Sequence, residues 1–212
     1  MHFNGVINKA YTGCEWVMKL AYVNILWVLF SLSGLILFGM SPASVALFTI
    51  LRKWLINETD IPIFRTFLDT YKKEFIKANK IGWLMSMIGM FLYIDFKFII
   101  NMGATIQYVL SVPLLLITII YFIPMLYIFP VYVSYELGMV QYIKNSFYIG
   151  IINMHITILM IAATFLLGIL YTYIPGVVPF FSVSLVALIV MIGAKQSFQR
   201  IEEKQKKLSL QN

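Results

Sequence analysis

Hydrophobic and polar positions alternate on a long scale along this chain. From Leu20 to Leu51 no residue is charged, and further apolar stretches cover 81–100, 108–133, 156–173 and 178–194. A helix needs about 20 residues to cross about 30 Å of hydrocarbon, so each later stretch reads as one crossing. The first run, 32 residues long, is too long for one comfortable crossing and too short for two full ones. Its middle reads Phe38-Gly39-Met40-Ser41-Pro42. Gly39 suits a helix C-terminal cap, Ser41 an N-cap and Pro42 a first helical position. The pattern predicts abutting helices at 20–38 and 42–56, meeting in a tight hairpin at the outer side. The second ends on Arg52-Lys53-Trp54. Lys and Arg snorkel and Trp favours the interface, so this helix reads either as a short span or as a re-entrant half-helix.

Three stretches are amphipathic instead. Residues 3–19 place Phe3, Val6, Ile7, Ala10, Cys14, Val17 and Met18 at helical spacing, which reads as a helix lying in the interface or packed on the bundle. At 60–79, Asp60 and Pro62 suit a helix start, and an aromatic stripe of Phe64, Phe67, Tyr71 and Phe75 is flanked by Lys72, Lys73 and Lys77. Those seven residues form a candidate partner- or lipid-binding face; docking on the protein's own bundle is an equal reading. A third polar element covers 136–152. The apolar segment 108–133 carries Pro113, Pro124 and Pro130, which predict kinks or a break. The expected fold is an all-α polytopic membrane bundle in one domain, 1–212. It has about six helices, five full spans plus a short or half-span helix at 42–56, with cytoplasmic amphipathic helices and a tail at 195–212.

Composition sharpens this reading. Hydrophobic residues make up 61% and charged residues only 12%, where a soluble domain has roughly 25% charged, and mean hydropathy is +0.87. The implied partner is the lipid bilayer. The net charge of +7 would point to nucleic acid in a soluble protein. Here the gathering of Lys and Arg in cytoplasmic loops explains it without nucleic acid. Placing the basic residues of the N-terminal segment, of 52–80 and of the tail on one side makes both termini cytoplasmic, in a multi-pass protein of the cell membrane. The single Cys14 forms no internal disulfide or zinc site, and the first apolar run is too long for a signal peptide.

Little chemistry is signalled. Charges inside spans are functional candidates because they are costly to bury, and Asp95 and Lys97 are the one such pair. Two positions apart near a span's outer end, they read first as snorkelling groups and second as a substrate-facing Asp95. His155 reads as an interfacial residue. No zinc, nucleophile-elbow or Walker A motif occurs, so no catalytic, metal or cofactor residue is expected and the protein does not read as an enzyme. Gly82, Ser86 and Gly89 form a small-residue seam for helix packing.

Several of these residues together resemble the YesL-like bacterial membrane proteins, a family classed as a domain of unknown function. They are Gly39, Pro42 and Ala43 before Ala46-Leu47-Phe48, then Arg52-Lys53-Trp54, Phe64 and Phe67, Lys73 to Gly82, and Lys144-Asn145-Ser146-Phe147. The resemblance covers nearly the whole chain, with one departure: Asn153-Met154-His155 stands where a proline is expected. It implies a link to carbohydrate uptake, because members often lie near genes for sugar permeases and polysaccharide degradation. The expected role is an accessory or scaffold component of sugar uptake or sensing, partnered by an ABC sugar permease or a sensor kinase. The alternative is a small-solute transporter or membrane substrate-capture subunit, against which stands the short list of polar membrane residues.

Overall fold

The computed structural model describes residues 2–209, and among these it is helical without a strand. Seven α-helices follow one another: α1 (His2–Ser33), α2 (Met40–Leu55), α3 (Ile63–Ile100), α4 (Ala104–Ser134), α5 (Met139–Ile152), α6 (Met154–Tyr173) and α7 (Val178–Ser209). A short 3-10 turn, Pro175–Val177, joins the last two. Five segments are long and apolar enough to cross a membrane, in α1, α3, α4, α6 and α7. This is the expected bundle of five spans and one short helix, a multi-pass membrane protein.

The short helix is the hub. α2 packs against α1, α3, α4 and α7, and Ala43, Val45, Leu47, Ile50 and Leu51 are buried almost completely. An apolar stretch this short and buried on every side is a core helix. Its 16 residues give about 24 Å, enclosed by its neighbours rather than facing lipid.

Elements expected as separate are continuous. The segments 60–79 and 81–100 form the single 38-residue α3, about 57 Å long. Nothing between Lys77 and Trp83 stops a helix, since Gly82 in an interior costs only about 1 kcal/mol. Residues 3–19 likewise run on into the first span as α1. The face expected at residues 3–10 and 12 lies outside the described side chains, and the tail continues α7 to Ser209. The three prolines of α4 leave the helix unbroken, as neighbouring helices permit in membranes.

The α1–α2 turn differs from its sequence expectation. α1 ends at Ser33 and α2 begins at Met40, so Ser41 and Pro42 lie inside the first turn and Ser41 is not the cap. Pro42 is tolerated there because the first N–H groups of a helix lack intrahelical partners. Gly39 stands at the N-cap of α2 with right-handed backbone, so it is not a left-handed C-cap. Glycine is required instead because a Cβ would collide with the carbonyls of Phe30 and Ser31. The chain reverses through Leu35 and Ile36, with φ of 55° and 64°. A β-branched residue at positive φ is a true outlier.

This turn abuts the middle of α3. The Asn79 amide donates to the Phe38 carbonyl at 2.9 Å, the Phe38 and Trp83 rings lie 5.5 Å apart, and Gly82 makes room for the Ser41 side chain. Beyond it, the rest of α3 and the first half of α4 form an arm. Tyr121 fastens the arm's base by donating to the Met85 carbonyl at 2.9 Å, and Gly89 admits the Tyr121 hydroxyl. The seam of small residues therefore works within one chain.

Two buried polar nodes tie the bundle. Asn24 of α1 donates to the Pro179 carbonyl at 2.8 Å and accepts from the Val183 and Ser184 amides, each at 3.0 Å. That staples α1 to the first turns of α7. Tyr127 of α4 bonds Thr157 of α6 at 3.0 Å and Ser197 of α7 at 3.3 Å.

Candidate functional site

At the charged end of the bundle, the last turns of α2, the polar face of α3 and the α4–α5 junction enclose a cleft of about 1030 Å³. Each wall follows from helical spacing. Val45, Thr49 and Arg52 recur at i, i+4 and i+7 on α2, and Lys73, Lys77 and Lys80 do so on α3, which sets each trio on one face. The third wall is the extended link 135–138 between α4 and α5.

Tyrosines hold that wall. The Tyr132 hydroxyl donates to Glu74 Oε2 at 2.6 Å, joining α4 to α3. The Tyr142 hydroxyl donates to the Tyr135 carbonyl at 3.1 Å and accepts from the Leu137 amide at 3.0 Å. The two rings pack with centroids 4.8 Å apart. Gln141 Oε1 accepts from the Gly138 amide at 3.2 Å, closing the first turn of α5. Burial, reinforced by Glu202 and opposed by Arg52, pushes the Tyr135 phenol above its ordinary value.

Four cations line the cleft, Arg52, Lys73, Lys77 and Lys80, against Asp69, Glu74 and Glu136. Glu74 is engaged by Tyr132, and Asp69 lies 3.8 Å from Arg65 Nε. Among the described residues none of the four cations makes an ion pair. Arg52 is half-buried, where an ion without a counter-charge is costly. The cleft offers charge and hydrogen bonding, and among the described residues no group of three His, Cys, Asp or Glu side chains is placed to hold a metal.

The structure divides the face expected at 60–79. Phe67 and Tyr71 are buried, at 0% and 8% exposure, against Phe30 of α1, whose carbonyl accepts from the Tyr71 hydroxyl at 3.1 Å. Phe75 is half-buried and Phe64 exposed. The stripe thus docks on the protein's own bundle, and aromatics engaged by α1 are closed to a partner. Lys73 and Lys77 line the cleft, whereas Lys72 is exposed outside it. Arg52 joins them there, Lys53 lies 3.6 Å from Glu58, and Trp54 is buried edge-on to Trp16.

Asp95 and Lys97 are exposed on the arm, with the Lys97 ammonium 5.7 Å from the Tyr93 ring centre. His155 opens α6, exposed and hydrogen-bonded to Arg200. None of the three reaches the cleft. Sequence reasoning missed Tyr132, Tyr142 and Glu74; their signal was the polar break Ser134-Tyr135-Glu136 after an aromatic-rich helix.

A second concavity is apolar. α4 and α6 meet at Tyr127 and Thr157 and then diverge, leaving a groove of about 850 Å³. Ile119, Phe122 and Leu126 face Ile158, Ile161 and Phe165 across it.

The family model described as "Protein of unknown function, DUF624" matches residues 20–96. YesV of Bacillus subtilis (strain 168) is 38% identical over 198 residues, 93% of this chain and 95% of its own length. YteU of the same organism is 35% identical over 187 residues, 88% of this chain and 84% of its own. YesL is 34% identical over 194 residues, 92% and 91% respectively. All three are described as uncharacterized. No solved structure matches.

Proposed function

The chain belongs to the DUF624 family, and from that premise we propose that it is an accessory or scaffold component of a membrane assembly for carbohydrate uptake or sensing. The observation that carries the reading is the apolar groove between α4 and α6. Helices of the charged half bury one another, whereas α4 around Ile119 to Leu126 and α6 leave an apolar groove between them. Association between membrane helices is driven by close packing, and an apolar groove facing the bilayer offers such packing to a partner's helix. The link to carbohydrate rests on the resemblance to YesL-like proteins, which points to an ABC sugar permease or a sensor kinase. A solute-capture role draws less support, because the groove is lined by apolar side chains and the polar cleft lies at the charged end.

Charge supports a cytoplasmic placement of both termini. Arg52, Lys53, the lysines of α3 and those of the α7 tail gather at one end, which the positive-inside rule assigns to the cytoplasm. Cys14 is exposed, so an impermeant thiol reagent is expected to label it in permeabilised cells and not in intact ones. Labelling in intact cells would reverse the topology.

The assembly is tested by recovering the tagged full-length protein from its native membrane in mild detergent. Near-stoichiometric recovery of a permease or sensor kinase is expected, and it should fall when Ile161→Trp fills the groove. Recovery of the protein alone, where known membrane complexes survive, would overturn the reading.

A further inference from the structure

We propose that the polar cleft between α2, α3 and the α4–α5 junction binds a phosphate-bearing ligand, with Arg52 as its central contact. Three observations converge. First, Arg52 is half-buried and, among the described residues, lacks an anionic partner. Its guanidinium presents a planar fork of donors suited to phosphate. Second, Lys73, Lys77 and Lys80 face the same space from one stripe of α3. The acids that would neutralise this set are occupied or peripheral: Glu74 is held by Tyr132, Asp69 lies beside Arg65, and Glu136 is exposed on the link. An anionic phosphate group is thus favoured over a sugar or a cation. Third, neutral donors stand among the charges, Thr70 and the Gln141 amide, while Val45, Ile81 and Val133 supply an apolar side.

That mixture fits a headgroup with the start of its acyl chains. Basic pockets between membrane helices at the cytoplasmic side are the usual seat of anionic lipid. Ile81 opens the apolar half of α3, so the cleft stands where charged and apolar surface meet. A soluble phosphate ester presents the same chemistry, and the two sources are separable by experiment.

The full-length protein would be purified in maltoside detergent, stripped of lipid, and titrated with dihexanoyl phosphatidylglycerol, dihexanoyl phosphatidylcholine and glycerol phosphate, with calorimetry as the readout. Saturable binding of phosphatidylglycerol is expected, weaker binding of phosphatidylcholine, and a loss of about tenfold or more in Arg52→Gln and in Lys77→Gln, the scale of one charge-assisted contact. Equal binding of glycerol phosphate would assign the site to a soluble ester; binding of the lipid alone would assign it to a headgroup. Lys77 is exposed, so Lys77→Gln keeps its fold if Arg52→Gln does not, and size-exclusion elution checks both. No saturable binding by any probe would overturn the proposal. So would affinities unchanged in Lys77→Gln, or an equal loss in the tail variant Lys204→Gln/Lys206→Gln.

Discussion

The two halves of α3 have different surroundings. From Ile63 to about Gly82 the helix lies against α1 and α2, its aromatic stripe sealed by Phe30 and its lysines turned toward a cleft. From there to Ile100 it has α4 beside it, and Phe91, Phe96 and Phe98 are exposed. Polarity along the chain leaves open whether the charged half docks on the bundle or faces a partner or lipid, and gives no sign that the apolar half is the less packed one. In a bilayer an apolar surface needs no burial in protein, because lipid is as apolar as leucine. Packing is instead set by shape, by small residues and by polar groups that must find partners. The charged half supplies all of these: Gly82 receives Ser41, and Asn79 and Tyr71 reach backbone carbonyls of the α1–α2 hairpin.

The sharpest way to break this contrast is at the staple between α1 and α7. Asn24→Leu removes three hydrogen bonds from a wholly buried site and leaves their backbone partners unsatisfied. It should cost about 2–3 kcal/mol, measured as a shift in unfolding by SDS titration in mixed micelles. Next comes a paired test of the two regions. Leu47→Ala opens a cavity in the wholly buried α2 and should cost about 2–3 kcal/mol. Leu115→Ala on the exposed arm should cost less than about 0.5 kcal/mol. Equal losses would mean that the arm is packed as the core is.

These contrasts show how much was legible. The five spans were readable because each is an apolar run of crossing length, interrupted by charge only at Asp95 and Lys97, and the helix at 42–56 announced itself by being too short. The enclosure of α2 was not readable, since an apolar stretch of its length gives the same pattern inside a bundle or dipping into lipid. The candidate site was half legible. Arg52, Lys73 and Lys77 stood out as charges beside apolar runs, but their convergence depends on α2 and α3 packing antiparallel. Tyr132 belongs to a segment that reads as an ordinary apolar span, and Tyr142 to a polar element whose partners its spacing does not reveal. The caps were misread because Ser-Pro after Gly is locally sound start chemistry, while the chain spends its reversal earlier, at Leu35 and Ile36.

Smaller effects refine the picture. Tyr132→Phe deletes the bond to Glu74 and should lower stability by about 1 kcal/mol, with a larger relative effect on ligand binding in the cleft than on the arm's contacts. Ile36→Gly relieves a left-handed β-branched residue that costs about 1–2 kcal/mol. Part of that gain is offset by the freedom glycine adds to the unfolded chain. The net expectation is a stabilisation of about 0.5 kcal/mol, read in the same SDS titration; a destabilised variant would show that the exposed Ile36 side chain makes contacts that outweigh the strain.

The most direct test of the account is photo-crosslinking from the groove in native membranes. A benzophenone amino acid placed at Phe165, which faces the groove, should yield one discrete protein adduct of partner size, and the same probe at Leu115 on the outer arm should yield less of it. Adducts with lipid alone at Phe165, in membranes where the partner candidates are expressed, would contradict the claim that the groove seats a helix.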